Sequence, residues 1–242
     1  MKAMARNMWS NIKDKLAQDI VEGRLAPGDQ LPTEPELALR FKSGRHSVRK
    51  AVDALAKEGK LSVEQGRGTF VGREPLLTYT IGKRTRLHRN LLPQGCDVTS
   101  ELLAGELINA PDAVCKRLHL ADRAKVVAST RRTLADAIPV SYGTVYHPAD
   151  RFPDFIERRD LTGSTTKAYA SYGITDYVRA RTEMFARPAT PDEAKMLRQH
   201  PDLSVIILRA VDADLNAQPL SYSEVNWAAG RVKFIMETDP DD

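Results

Sequence analysis

Arg45, Arg49 and Asp53 recur at four-residue spacing with His46 and Lys50 beside them, while Val48, Ala51, Val52 and Leu55 recur at i, i+3, i+4, i+7. The second set is one apolar stripe of a helix, and the first lies on a different face. A helix buried along one side and carrying paired arginines along another suits a groove lined with negative charge. A merely solvated helix face would also place arginines four apart, so the neighbouring residues decide. Before this helix, Pro32 to Phe41 opens with Leu-Pro-Thr. Thr33 can cap a helix, Glu36 stands three residues later as in a capping box, and Leu37, Ala38 and Phe41 form an apolar side. Two short amphipathic helices joined around Ser43-Gly44 make a helix-turn-helix.

Behind it, Leu61–Val63 and Thr69–Val71 are short apolar strands around the glycine-bearing tip Gln65, Gly66, Arg67, Gly68. Glycine allows the positive φ of a tight hairpin and lets the backbone approach a neighbouring surface, as a wing does. In order and spacing, LPTEPELALRF…GRHSVRKAVDALAKEGKLSVEQGRGTFV resembles the DNA-binding domain of the GntR family of bacterial repressors, over residues 9–71. The resemblance implies that Arg45 and Arg49 reach guanine edges and that His46 and Ser47 contact bases or phosphates. It also implies that the Gln65–Gly68 tip reaches the minor groove, and that Thr33, with Glu34 beside it, meets a phosphate at a helix start. Two departures stand out: Pro35 where the family often has a polar or basic residue, and Ser43-Gly44 in place of a Val-Ser entry to the second helix.

The bulk numbers agree with a DNA partner. Residues 1–75 carry 14 Lys+Arg against 10 Asp+Glu, and the rest of the chain carries 22 of each, so the whole excess of +4 lies on the candidate DNA-binding segment. With 242 residues and 42% apolar content the chain can fill two modest cores. No apolar run approaches the roughly 18–20 residues of a membrane span, and the first residues lack the apolar centre of a signal peptide, so a cytoplasmic protein is expected. Cys96 and Cys115 make neither a disulfide framework nor a zinc cluster. There is no nucleophile elbow, phosphate loop or metal-ligand spacing, and His119, His147 and His200 stand singly; an enzyme is the weaker reading, with no cofactor and no metal expected.

The expected organisation is a winged helix-turn-helix in 1–75, a linker at 76–85 with a short strand at 76–81, and a second domain in 86–242. A first helix spans 9–22, with Ile12, Leu16 and Ile20 inward and Gly23 ending it. The later chain reads as a short helix at 86–93, a strand at 102–108, a helix at 111–118 and strands at 125–134 and 140–147. A helix starts at Gly163-Ser-Thr-Thr. An extended stretch at 174–186, a helix at 191–199 and strands at 204–214, 220–227 and 232–237 follow. Turn-linked strands with inserted helices make an α+β domain on an antiparallel sheet.

This order resembles the UTRA effector-binding domain of the HutC branch of the same family, which implies a chorismate-lyase-like fold that dimerises through its sheet. RLHRNLLPQG at 86–95 and TSELL at 99–103 resemble the branch's repressors of phosphonate-utilisation operons. The implied ligand is a small anion, a phosphonate or phosphate ester, recognised by charged donors, hydroxyls and helix-start amides. The implied effector residues are Arg86, His88, Asn90, Arg131, Thr133, Ser164, Thr166 and Trp227. Ser221 stands where related sugar-phosphate sensors have a glutamate, which argues against a hexosamine phosphate; other sugar phosphates and histidine-pathway acids stay open. The function implied is a homodimeric, ligand-responsive repressor on double-stranded operator DNA with an inverted repeat.

Overall fold

The computed structural model describes residues 2–22, 24–64, 66–72 and 77–236, with side chains for all of these except 2–7, 21 and 88. Gly23 and Gln65 therefore lie outside the described residues. Two compact units emerge: Met1–Pro75 with Pro188–Ser204, and Leu76–Arg187 with Val205–Asp242.

In the first unit, α1 (Lys2–Val21), α2 (Glu34–Arg40) and α3 (Arg45–Lys57) are followed by the hairpin β1 (Leu61–Glu64) and β2 (Gly68–Val71). The α3 stripe does what its spacing requires: Val48, Ala51, Val52 and Leu55 are buried with Ile12 and Leu16 of α1 and Leu37 of α2. The first helix starts at Lys2, upstream of the expected Trp9, because Ala and Met around it favour helix. One polar group is inside. Asp19 is 1% exposed and accepts from Arg24 at 2.9 Å and Arg40 at 2.7 Å, which ties α1 to α2. Burial alone would raise its pKa; the two guanidiniums override that and hold it low. The capping box forms, with Glu36 accepting from the Thr33 amide at 2.7 Å and hydroxyl at 2.8 Å.

The second unit runs β3 (Leu77–Ile81), α4 (Leu87–Leu91), a 3-10 turn at Leu92–Gln94, β4 (Val98–Asn109), α5 (Asp112–Leu118), β5 (Lys125–Ala135), β6 (Ile138–Pro148), α6 (Phe155–Thr162), α7 (Thr165–Ala170) and β7 (Val178–Pro188). After α8 (Pro191–Met196), in the segment grouped with the first unit, come β8 (Ser204–Ala213), β9 (Pro219–Ala228) and β10 (Val232–Met236). Six strands form one sheet in the order β4-β5-β6-β9-β8-β7. The strand inside 76–85 exists and pairs in parallel with β10, Leu77 opposite Val232, so that stretch contributes to a core with Trp227 and Leu208. Helix α6 has no counterpart among the expected elements. Its buried residues are Phe155 and Arg159, four apart, and a charged residue on the inward face hides the apolar period.

Candidate functional site

On α3, Arg45, His46, Arg49 and Lys50 are exposed and Ser47 is half-buried. Arg49 is not idle: its Nε and Nη2 donate to the Glu34 carboxylate at 3.0 and 2.8 Å. That bidentate pair raises the pKa of Arg49, lowers that of Glu34 and fixes the orientation of the guanidinium. Lys50 packs its ammonium 4.5 Å from the centre of the Trp9 ring. Thr33 is exposed, with its hydroxyl already held by Glu36. Gly44 caps α3 without a side-chain bond, and the Ser43 hydroxyl is buried with no partner, as the unusual Ser-Gly entry leads one to expect. In the hairpin, Gly66 and Gly68 take φ of 78° and 124°. Arg67 reaches Glu64 at 2.7 Å, and a Cβ on Gly68 would meet the Gln30 side chain.

Arg49→Ala should weaken specific operator binding by about 1–3 kcal/mol, with little change on unrelated DNA or in the unfolding transition. Anisotropy titrations on operator and scrambled duplexes check this; equal affinity of parent and variant for the operator would remove Arg49 from the reading face.

The second unit holds a cavity of about 210 Å³. Its floor is a grid fixed by strand register. Thr133, Ser141 and Trp227 form one row across β5, β6 and β9; Arg131, Gly143 and Val225 the next; Ser129, Val145 and Ser223 the third. Residues two apart along each strand face the same side, so the grid follows from the pleat. Gly143 at its centre is demanded by space: a Cβ there would lie 2.2 Å from the Glu224 carbonyl oxygen and 2.6 Å from Val225 Cα. Further lining comes from α6, the start of α7, β7, β8 and the β3–α4 turn, through Arg159, Ser164 to Thr166, Arg179, Asp212 and Arg86.

Six of the eight residues singled out from the sequence for the effector line this cavity: Arg86, Arg131, Thr133, Ser164, Thr166 and Trp227. Arg86 lies 3.3 Å above the Tyr177 ring centre, donates to the Thr85 carbonyl at 3.1 Å and to the Tyr177 carbonyl, and stands 3.6 Å from Asp176. Arg131 pairs with Asp160. Ser164 caps α7, accepting from the Lys167 amide, and Thr166 Oγ1 is 3.1 Å from the Tyr177 hydroxyl. Trp227 Nε1 is buried with no partner. Asn90 is placed away from the lining: it clasps β3, accepting from the Thr80 amide at 2.7 Å and donating to the Thr80 and Arg86 carbonyls at 3.1 Å. The His88 side chain is outside the described set.

Sequence reasoning missed Arg159, Arg179, Asp212 and the serines 129, 141 and 223, and it left His147 and Ser221 outside the effector set. A usable signal existed in the polar residues alternating along β5 and β9. Arg179 pairs with Asp212 at 2.6 Å; burial opposes its charge, the carboxylate prevails, and its pKa rises while Nη1 is left unpartnered. His147 is 1% exposed, stacks on Phe155 at 3.7 Å and faces the Tyr169 hydroxyl at 3.0 Å; burial pushes its pKa down to about 3, so it is neutral. Burial likewise pushes Tyr79 up to about 12.

The profile of bacterial regulatory proteins of the gntR family matches residues 9–71, and that of the UTRA domain matches residues 93–233. An HTH-type transcriptional regulator of Rhizobium meliloti (RB1450) is 35% identical over 237 residues, covering 98% of this chain and 97% of the relative. The probable transcriptional regulator PhnF of Escherichia coli K12 is 29% identical over 241 residues, covering 95% and 94%. The crystal structure of PhnF from Mycobacterium smegmatis superposes with a TM-score of 0.63 at 22% identity, over 95% of this chain and 99% of that one, a likeness of fold. Among the described residues, no helix is long and apolar enough to cross a membrane. With a winged helix carrying exposed arginines, a UTRA sheet closed over a cavity, and relatives that are regulators and not enzymes, the chain belongs to the GntR family of bacterial regulatory proteins and is a DNA-binding, ligand-responsive transcriptional regulator.

Proposed function

We propose that this regulator is a cytoplasmic repressor of genes for using a phosphonate or phosphate ester, and that it binds an inverted-repeat operator as a homodimer. Its signal is a small organic anion held in the UTRA cavity. One observation carries the reading: a single cavity gathers the guanidiniums of Arg86, Arg131, Arg159 and Arg179 with the hydroxyls of Ser164, Thr165 and Thr166. Charge-assisted bonds from arginine and hydroxyl donors match the oxygens of a phosphonate or phosphate. The similarity of residues 86–95 and 99–103 to phosphonate-operon repressors supports the pathway. Ligand shifts the dimer between states that do and do not fit the operator, and it can do so only through unequal affinity for them.

Calorimetric titration with phosphonates, phosphate esters, sugar phosphates and urocanate tests the ligand class. The reading predicts binding by a phosphonate or simple phosphate ester and none by neutral analogues. Binding by urocanate alone, or by a sugar phosphate alone, would overturn the phosphonate assignment.

A further inference from the structure

The four cavity arginines are not equivalent. Arg86 faces Asp176, Arg131 is paired with Asp160, and Arg179 with Asp212. Arg159 has no carboxylate within ion-pair distance among the described residues, although it is only 8% exposed. Among the described residues its one hydrogen bond runs from Nε to Thr165 Oγ1 at 3.2 Å, which leaves both Nη groups without a partner there. Asp160, next in the chain, is already taken by Arg131. Leaving a buried cation without a counter-ion is costly, and this one lines a cavity that an anion can enter.

Resting on the anionic-effector reading above, we infer that Arg159 is the specificity-determining residue of the cavity. Its unpaired guanidinium, set beside the Ser164–Thr166 hydroxyls and Arg131, makes the site select a doubly charged phosphoryl or phosphonyl group over a singly charged one. Arg131 is half of a neutral pair, so it alone offers little net charge to the ligand, whereas Arg159 adds a full positive charge. The groups whose fields reach Arg159 are Arg131, Asp160 and the Tyr177 hydroxyl. The other titratable lining groups are His147, neutral above about pH 3, Tyr79, pushed up to about 12, Arg86, facing Asp176, and Asp212, paired with Arg179. A change of affinity near neutrality therefore reports the ligand's own second ionisation.

The test uses the full-length protein and three probes: inorganic phosphate, methylphosphonate and methanesulfonate, the last singly charged throughout. Affinities are measured by calorimetry at about pH 5.5 and about pH 8, on either side of the second ionisation of a phosphoryl group. The parent should bind phosphate or methylphosphonate about tenfold more tightly at the higher pH, as charge-assisted bonds to the dianion form, and methanesulfonate weakly at both. Arg159→Gln should lose that rise while keeping the weak, pH-independent component. Arg159→Lys, which keeps the charge, should retain it. A purely structural arginine would behave otherwise, because removing an unpaired buried cation should leave the ligand-free protein as stable as the parent or more so. Parent-like affinity and pH dependence in Arg159→Gln would overturn the inference and spare the anionic-effector reading. If the parent bound none of the probes at either pH, both would fall. Lower ligand-free stability in Arg159→Gln, with the pH rise intact in Arg159→Gln and Arg159→Lys alike, would make Arg159 structural.

Discussion

Gly143→Ala should cost the effector unit more than about 3 kcal/mol, beyond the ordinary range of overpacking. The atoms in the way are backbone, the Glu224 carbonyl oxygen at 2.2 Å and Val225 Cα at 2.6 Å, and no rotamer can move them. Relief requires β6 and β9 to separate, which breaks the register that places Ser141 opposite Trp227 and Val145 opposite Ser223. The cavity floor would go with it, so the variant should also lose ligand binding. Gly230→Ala is the internal control, since a Cβ there meets nothing within 4 Å. The two tryptophans fall one in each unit, Trp9 and Trp227. Urea unfolding followed through Trp227 in a Trp9→Phe background therefore isolates the effector unit. A midpoint for Gly143→Ala equal to that of Gly230→Ala would contradict the close approach of the two strands.

The second large effect is on acid stability, through His147. Its folded pKa of about 3 lies below the ordinary histidine value near 6.5, so the folded state keeps the ring neutral while the unfolded chain protonates it. Above about pH 6.5 both states are neutral and nothing is lost. As pH falls from there toward 3 the unfolded state gains a proton that the folded state refuses, and stability drops by up to about 1.4 kcal/mol per pH unit. Over the whole window the loss reaches several kcal/mol. Carboxylates held low by arginines, such as Asp19 and Asp176, add their own losses only nearer the ordinary carboxylate range of about 4. Between about pH 6.5 and 5 the slope should thus belong mainly to His147. In His147→Gln the stability of the Trp227 transition should be nearly flat over that interval. Parallel slopes in parent and variant would mean that the ring is solvated and charged in the fold.

Much of the fold was legible because the relevant periods are clean. The α3 stripe, the Thr33–Glu36 box and the strands β5, β6, β8 and β9 follow from spacing and turn residues alone. Edge strand β4 extends from Val98 to Asn109, beyond the expected 102–108, since an edge strand with most residues exposed lacks the alternation that marks its ends. Helix α6 escaped because its inward face pairs Phe155 with a charged Arg159. The cavity was half legible for a related reason. Arg131, Thr133, Ser164 and Thr166 could be carried over position by position from a family likeness. Arg159, Arg179 and Asp212 come from separate elements that only the sheet order brings together. Nothing in a local stretch marks Arg159 as inward, and its lack of a carboxylate partner becomes visible only once Arg131 is seen to hold Asp160.

The central claim, a DNA reader governed by an anion in its second unit, is tested most directly by fluorescence anisotropy of the protein on its own upstream DNA. The titration is run at fixed salt, with and without phosphonates and phosphate esters. The account predicts tight, sequence-selective binding that one such anion changes by about tenfold or more, in the range of ordinary allosteric couplings. It also predicts that the change is lost in Arg159→Gln while ligand-free operator binding stays intact. Selective binding indifferent to every anion in the set would contradict the account.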